Sequence, residues 1–112
     1  MNSSAKIVNK KSSDPLDKLI YEKGLRASYL VIDKKLDLLL VVLNNGKVLR
    51  DKISPYTRLK NASQKQLENY ELIGRGSSIH WPALDEDLSI KGMIKSTALD
   101  QAISMLQEKE KV

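Results

Sequence analysis

The chain contains no cysteine, which removes disulfide staples, thiolate metal centres and thiol catalysis in one step. It has no phenylalanine, one tryptophan and four tyrosines, so its core must be built mainly from Leu, Ile and Val, with Trp81 as the largest body. A single histidine, His80, limits imidazole chemistry to one position. No run approaches the ~18 apolar residues of a membrane-spanning helix. The stretch Met1 to Ser13 is polar and carries Lys6, Lys10 and Lys11 rather than the apolar stretch of a secretory signal. These absences lead to the expectation of a cytoplasmic protein with no membrane association.

What is present is an ordinary globular composition, 41% hydrophobic and 29% charged over 112 residues, which fits one domain. The sequence divides into a flexible arm over 1–13, too polar to repay its ordering by burial, and a single domain over 14–112. The net charge of +5 is unevenly placed. Residues 25–60 carry eight basic and three acidic side chains, an excess of five positive, whereas residues 83–112 carry four basic and six acidic, an excess of two negative.

Asp14 followed by Pro15 predicts a helix start, Leu16, Leu19 and Ile20 form its apolar stripe, and Gly24 is placed to end it. Residues 27–33 alternate as a strand. The run from Leu36 to Leu43 is nearly all aliphatic, and a strand apolar on both faces must lie mid-sheet, with cover on both sides or a helix on one side and a partner on the other. Asn44-Asn45-Gly46 is a hairpin turn returning into 48–53. Ser54-Pro55 reads as a cap opening a short turn, and Ser63 with Gln66 has the spacing of a capping box. Two more strands, 70–73 and 78–81, flank Gly74-Arg75-Gly76, and Pro82 stops the second. From Thr97 onward Leu99, Ala102, Ile103 and Leu106 recur at helical spacing. The expected fold is α+β: a small, curled, antiparallel, hairpin-rich sheet of about five strands with an N-terminal helix, short connecting helices and an amphipathic C-terminal helix.

No constellation assembles a catalytic or metal site. Gly74-Arg75-Gly76 lacks the third glycine and following helix of a dinucleotide loop and the Gly-Lys-Ser/Thr of a Walker loop. Ser78 and His80 share one side of a strand, but neighbours along a strand rarely adopt nucleophile-and-base geometry, and no carboxylate is positioned to orient the histidine. Asp85-Glu86-Asp87 lacks the glycine and distal acid of a calcium loop, because Ile90 and Ser96 stand there. The expectation is therefore a protein that is not an enzyme and needs no cofactor or metal. Two binding surfaces remain. One is the hairpin end His80, Trp81, Asp85, Glu86 and Asp87, suited to a basic protein partner. The other is the basic set Lys47, Arg50, Lys52, Arg58 and Lys60, with Tyr56 among them, as a nucleic-acid face.

The segment Tyr70 to Ile94, with Ile79-His80-Trp81-Pro82 followed by Leu84-Asp85-Glu86-Asp87, resembles the C-terminal hallmark of the bacterial family called domain of unknown function 2442. Asp51, Ser54 and Pro55 match its upstream Asp-x-Ser-Pro, so the resemblance spans roughly residues 25 to 95. It implies a small α+β domain. Members are uncharacterised as a class, and some lie beside genes for domain of unknown function 4160, which implies an antitoxin-like, partner-neutralising role. Longer members append a helix-turn-helix that is not found in this sequence, so direct operator binding is not implied. The expected partner is another protein, or a second copy paired through an edge strand or the terminal helix. Nucleic acid is the alternative.

Overall fold

In the computed structural model, which describes residues 13–110, two three-stranded antiparallel meanders share one core. The predicted arm over 1–13 lies, apart from Ser13, outside the described residues. Asp14 caps the first helix, its carboxylate accepting from the Leu16 amide at 2.8 Å, with Pro15 at the first helical position. This helix, α1 (Pro15–Asp17), runs on into a π-helical turn (Lys18–Glu22) that buries Ile20. Gly24 follows in the left-handed conformation, as the sequence predicts.

The first sheet is β1 (Ala27–Asp33), β2 (Leu38–Leu43) and β3 (Val48–Asp51), in that spatial order. β2 lies in the middle, where its two apolar faces require it. Leu39, Val41 and Leu43 point into the core and Leu38, Leu40 and Val42 point away from it. β2 begins at Leu38 rather than Leu36 because Asp37 turns the chain through a left-handed φ of 52°. The Asp37 carboxylate then fastens the first hairpin to the segment after β3. Oδ1 accepts from the amides of Ile53 at 3.0 Å and Ser54 at 2.8 Å, and Oδ2 accepts from the Ser54 hydroxyl at 2.6 Å. Ser54 thus serves Asp37 rather than a helix start, and helix α2 (Thr57–Lys60) opens two residues later than the sequence suggests.

These hydrogen bonds, led by that from the Ser54 hydroxyl, hold the Asp37 carboxyl below the ordinary aspartate range. A depressed folded-state value contributes stability that is complete above the unfolded-state value, about pH 3.9, and is lost as the pH falls through the folded value. Asp37→Asn should therefore lower the urea midpoint at neutral pH. It should also flatten the decline in stability below about pH 4, a difference that urea titrations of parent and variant would show.

Helix α3 (Gln64–Glu68) carries the predicted capping box between Ser63 and Gln66. Gln64 ties α3 to β1, its amide donating to the Ile32 carbonyl and its oxygen accepting from the Lys34 amide, both at 2.8 Å. The second sheet is β4 (Glu71–Ile73), β5 (Ser78–Trp81) and β6 (Glu86–Ser89). Among the described residues there are thus six strands in two sheets where the sequence suggests about five in one. The overlooked β6 carries the acids that Pro82 makes look like a turn. Helix α4 (Ile90–Glu110) starts seven residues earlier than its periodicity suggests, capped by the Ser89 hydroxyl, which accepts from the Gly92 amide at 3.0 Å. Ile90 and Met93 bury its first turns, and Lys91 binds Asp17 at 2.7 Å and Asp14 at 3.1 Å, joining α4 to α1. Among the described residues no helix is long and apolar enough to cross a membrane.

Candidate interaction surface

The hairpin end selected from sequence is not one surface. Trp81 points into the core at 1% exposure, its indole N–H donating to the Leu67 carbonyl at 2.8 Å, so it is an anchor rather than a contact residue. Strand alternation puts Glu86, its cross-strand partner, on the same side, half-buried at the rim. His80 and Asp87 lie on the opposite face, in register with one another and with Glu71 across the sheet. The imidazole Nδ1 is in contact with Asp87 Oδ1 on the neighbouring strand, so a carboxylate does stand beside the histidine where the sequence suggests none, because β6 pairs with β5. Asp85 sits apart, in a left-handed turn, paired with Arg58. The three acids are therefore divided between two faces and a turn, and among the described residues no group of side chains is arranged to hold a metal ion.

The basic set is dispersed in the same way. Arg58 is engaged by the Asp85 carboxylate at 3.3 Å and by its carbonyl. Lys47 lies in the hairpin turn, Lys60 at the end of α2, Arg50 on β3 and Lys52 just past its end. Tyr56, the one aromatic ring among them, is half-buried, and its hydroxyl donates to the buried Asp51 carboxylate at 2.6 Å. Burial and that carboxylate both push its ionisation far above the ordinary tyrosine range. A stacking platform for bases requires an open ring face, and this ring is packed against the core.

The structure instead brings together a surface that, Arg50 apart, the candidate residues do not include. On the side of the first sheet facing away from the core, Tyr29 lies opposite Val42 and Val42 opposite Val48, while Val31 lies opposite Leu40 and Leu40 opposite Arg50. Leu38 continues the same face. Tyr29, Val31 and Val48 are 43% to 51% exposed, and the β2 residues between them are half-buried only by their neighbours in the sheet. An antiparallel sheet with one solvated face normally carries polar side chains there. This one carries mainly aliphatic and aromatic side chains, with the charges of Asp33, opposite Leu38, and Arg50 at its rim. The signal was in the sequence, in the unbroken apolar run of β2.

A second uncovered apolar surface lies on α4. Its core-facing side runs through Ile90, Met93, Ile94 and Thr97. Leu99, Ile103 and Leu106, at 100° per residue, project from roughly the opposite side, and all three are 44% to 61% exposed. The stripe that looks in sequence like a docking face is therefore solvent-facing, and the helix packs on its own domain through other residues. Between the end of β3 and the second half of α4 runs a groove of ≈ 1120 Å³, bordered by Leu36, Val48, Arg50, Lys52, Ala98 and Met105.

Known proteins agree with this architecture without supplying a role. The family model described as protein of unknown function (DUF2442) matches residues 33–97. A crystal structure of a protein of unknown function from Rhodospirillum rubrum is 32% identical, covering 65% of this chain and 88% of that one, with a TM-score of 0.58. The solution structure of an uncharacterized protein from Chromobacterium violaceum is 16% identical, covering 79% of this chain and 86% of that one, with a TM-score of 0.60, and shares the fold. No curated protein matches the chain.

Proposed function

The chain belongs to the DUF2442 family of proteins of unknown function, and from that premise we propose that it is a non-enzymatic protein–protein interaction module that binds through the outer face of β1–β3. The observation that carries this reading is the apolar outer face itself. Large contiguous apolar patches are uncommon on solitary soluble proteins and mark surfaces that another protein covers. Tyr29 supplies the kind of amphipathic aromatic anchor that interfaces favour, and Arg50 a charged rim. An antitoxin-like role, in which the covered partner is the product of a neighbouring gene, is the specific form of this reading, and the cytoplasm is where such a pair would meet.

Co-expression with the adjacent gene product tests it. The parent should co-purify with that protein and Val31→Lys should not, while Val31→Lys keeps its stability to within about 0.5 kcal/mol because the position is exposed. Retained binding by a folded Val31→Lys variant, or no binding by the parent, would count against it. The dispersed basic residues favour no second reading. A fluorescence titration with single- and double-stranded oligonucleotides at low salt, where phosphate contacts are strongest, should show no saturable binding.

A further inference from the structure

Resting on the interaction-module reading, we infer that in the unbound protein the outer face of β1–β3 is covered by the same face of a second copy of this chain, the two sheets stacking about a two-fold axis that runs along β2. A sheet with one side in the core and the other side apolar is half of a sandwich. A second sheet laid about 10 Å away with its strands aligned is the usual cover for such a side. A second copy supplies a sheet of the same width with the same side chains, and an isologous contact covers both faces at once.

The charges fix the orientation. Across the strands the side chains of this face stand in three rows: Tyr29, Val42 and Val48; then Val31, Leu40 and Arg50; then Asp33 and Leu38, level with Lys52 just past the end of β3. The acid therefore lies at the β1 edge and the bases at the β3 edge. Aligned stacking offers two axes. An axis across the strands, through the middle row, lays each strand on its own counterpart and sets Arg50 over the partner's Arg50. An axis along β2 instead lays β1 over the partner's β3. Asp33 of each copy then comes over the end of that β3, beside Arg50 and Lys52, so that unlike charges meet at both edges of the contact. Leu40 meets its counterpart on the axis, Tyr29 meets the partner's Val48, and the aliphatic stem of Arg50 lies on the partner's Val31 with its charged head toward the partner's Asp33. Like charges placed opposite one another disfavour the first arrangement, and unlike charges orient the second.

Charge reversal tests the contact and its orientation together. Light scattering of the parent should give twice the 12.6 kDa of one chain. Asp33→Arg gathers only bases at each edge and Arg50→Glu/Lys52→Glu only acids, so each variant alone should associate at least roughly tenfold more weakly than the parent, with an unchanged circular dichroism spectrum. An equimolar mixture of the two, one of them tagged, should regain the dimer as a mixed pair, because both of its edges then join unlike charges. No regain in the mixture, or variants that associate as tightly as the parent, would overturn the arrangement. A parent that stays monomeric at about 1 mM, where even a millimolar dissociation constant would show, would overturn the dimer without recourse to any variant. A monomeric parent that still binds its neighbouring gene product through Val31 would leave the interaction-module reading standing. A monomer that binds nothing would remove both.

Discussion

Trp81→Ala is expected to cost about 3–5 kcal/mol, a large share of the roughly 5–15 kcal/mol that holds a domain of this size together. The indole is the largest fully buried side chain in a core with no phenylalanine, and it lies where β5, α3 and Tyr70 meet. Its ring is 6.4 Å from that of Tyr70, whose hydroxyl in turn accepts from the Leu30 amide of β1. Deleting it therefore loosens the joint between the two sheets as well as leaving a void. Trp81→Phe separates packing from hydrogen bonding. It keeps most of the apolar body but leaves the buried Leu67 carbonyl without its donor, for about 1–3 kcal/mol. Urea unfolding followed by far-ultraviolet circular dichroism measures both, and an alanine variant within about 1 kcal/mol of the parent would contradict this account of the core.

Gly76→Ala should be of comparable severity for a different reason. Gly76 closes the turn between β4 and β5 at φ +106° and lies directly against β1. A Cβ there would stand 2.3 Å from the Ala27 carbonyl oxygen and 3.1 Å from its amide nitrogen. The obstacle is backbone of the other sheet, which cannot swing aside, so the strain of a left-handed alanine adds to a forced separation of the sheets, together at least about 3 kcal/mol. Gly46 is the internal control. Its φ is +86° with nothing within 4 Å of the added carbon, so Gly46→Ala should pay only the conformational part, about 1 kcal/mol. Equal unfolding midpoints for the two variants would show that the sheets do not meet at Gly76.

Much of the first half of the fold was legible in residues whose local chemistry and tertiary role agree. Asp14-Pro15 caps a helix, Ser63 and Gln66 form their box, and Asn44-Asn45-Gly46 turns a hairpin. Asn44 goes further than its turn signal suggests, holding the Gly24 carbonyl and the Arg26 amide with its side chain. The second half misled where tertiary context overrode propensity. Asp85 to Asp87 have low strand preference, yet β6 forms because Leu88 lies opposite Ile79 on the core side and Asp87 opposite His80 on the other. Gly92 obscured the start of α4, although Ser89 was a readable cap.

The candidate site was less legible, because sequence patterns show which positions are apolar but not which apolar face finds cover. Trp81, grouped with the hairpin-end contact residues although its bulk also suited it to anchor the sheet, proved to be core. Leu99, Ile103 and Leu106 had the spacing of a docked face and proved to be outside. The basic set appeared contiguous along the chain, but Arg58 is committed to Asp85, a contact 27 residues apart that no local pattern announces. Only the double-sided hydrophobicity of β2 pointed toward the surface that the structure leaves open.

The most direct test of that surface is the dissociation constant of the complex with the neighbouring gene product, measured for Val31→Lys and for His80→Ala side by side. A charge buried at the centre of the outer sheet face should weaken binding by a hundredfold or more, about 3 kcal/mol, whereas His80→Ala, on the polar face of the other sheet, should leave it within about twofold. The reverse order, with His80→Ala disruptive and Val31→Lys silent, would place the interface on the second sheet and contradict the account.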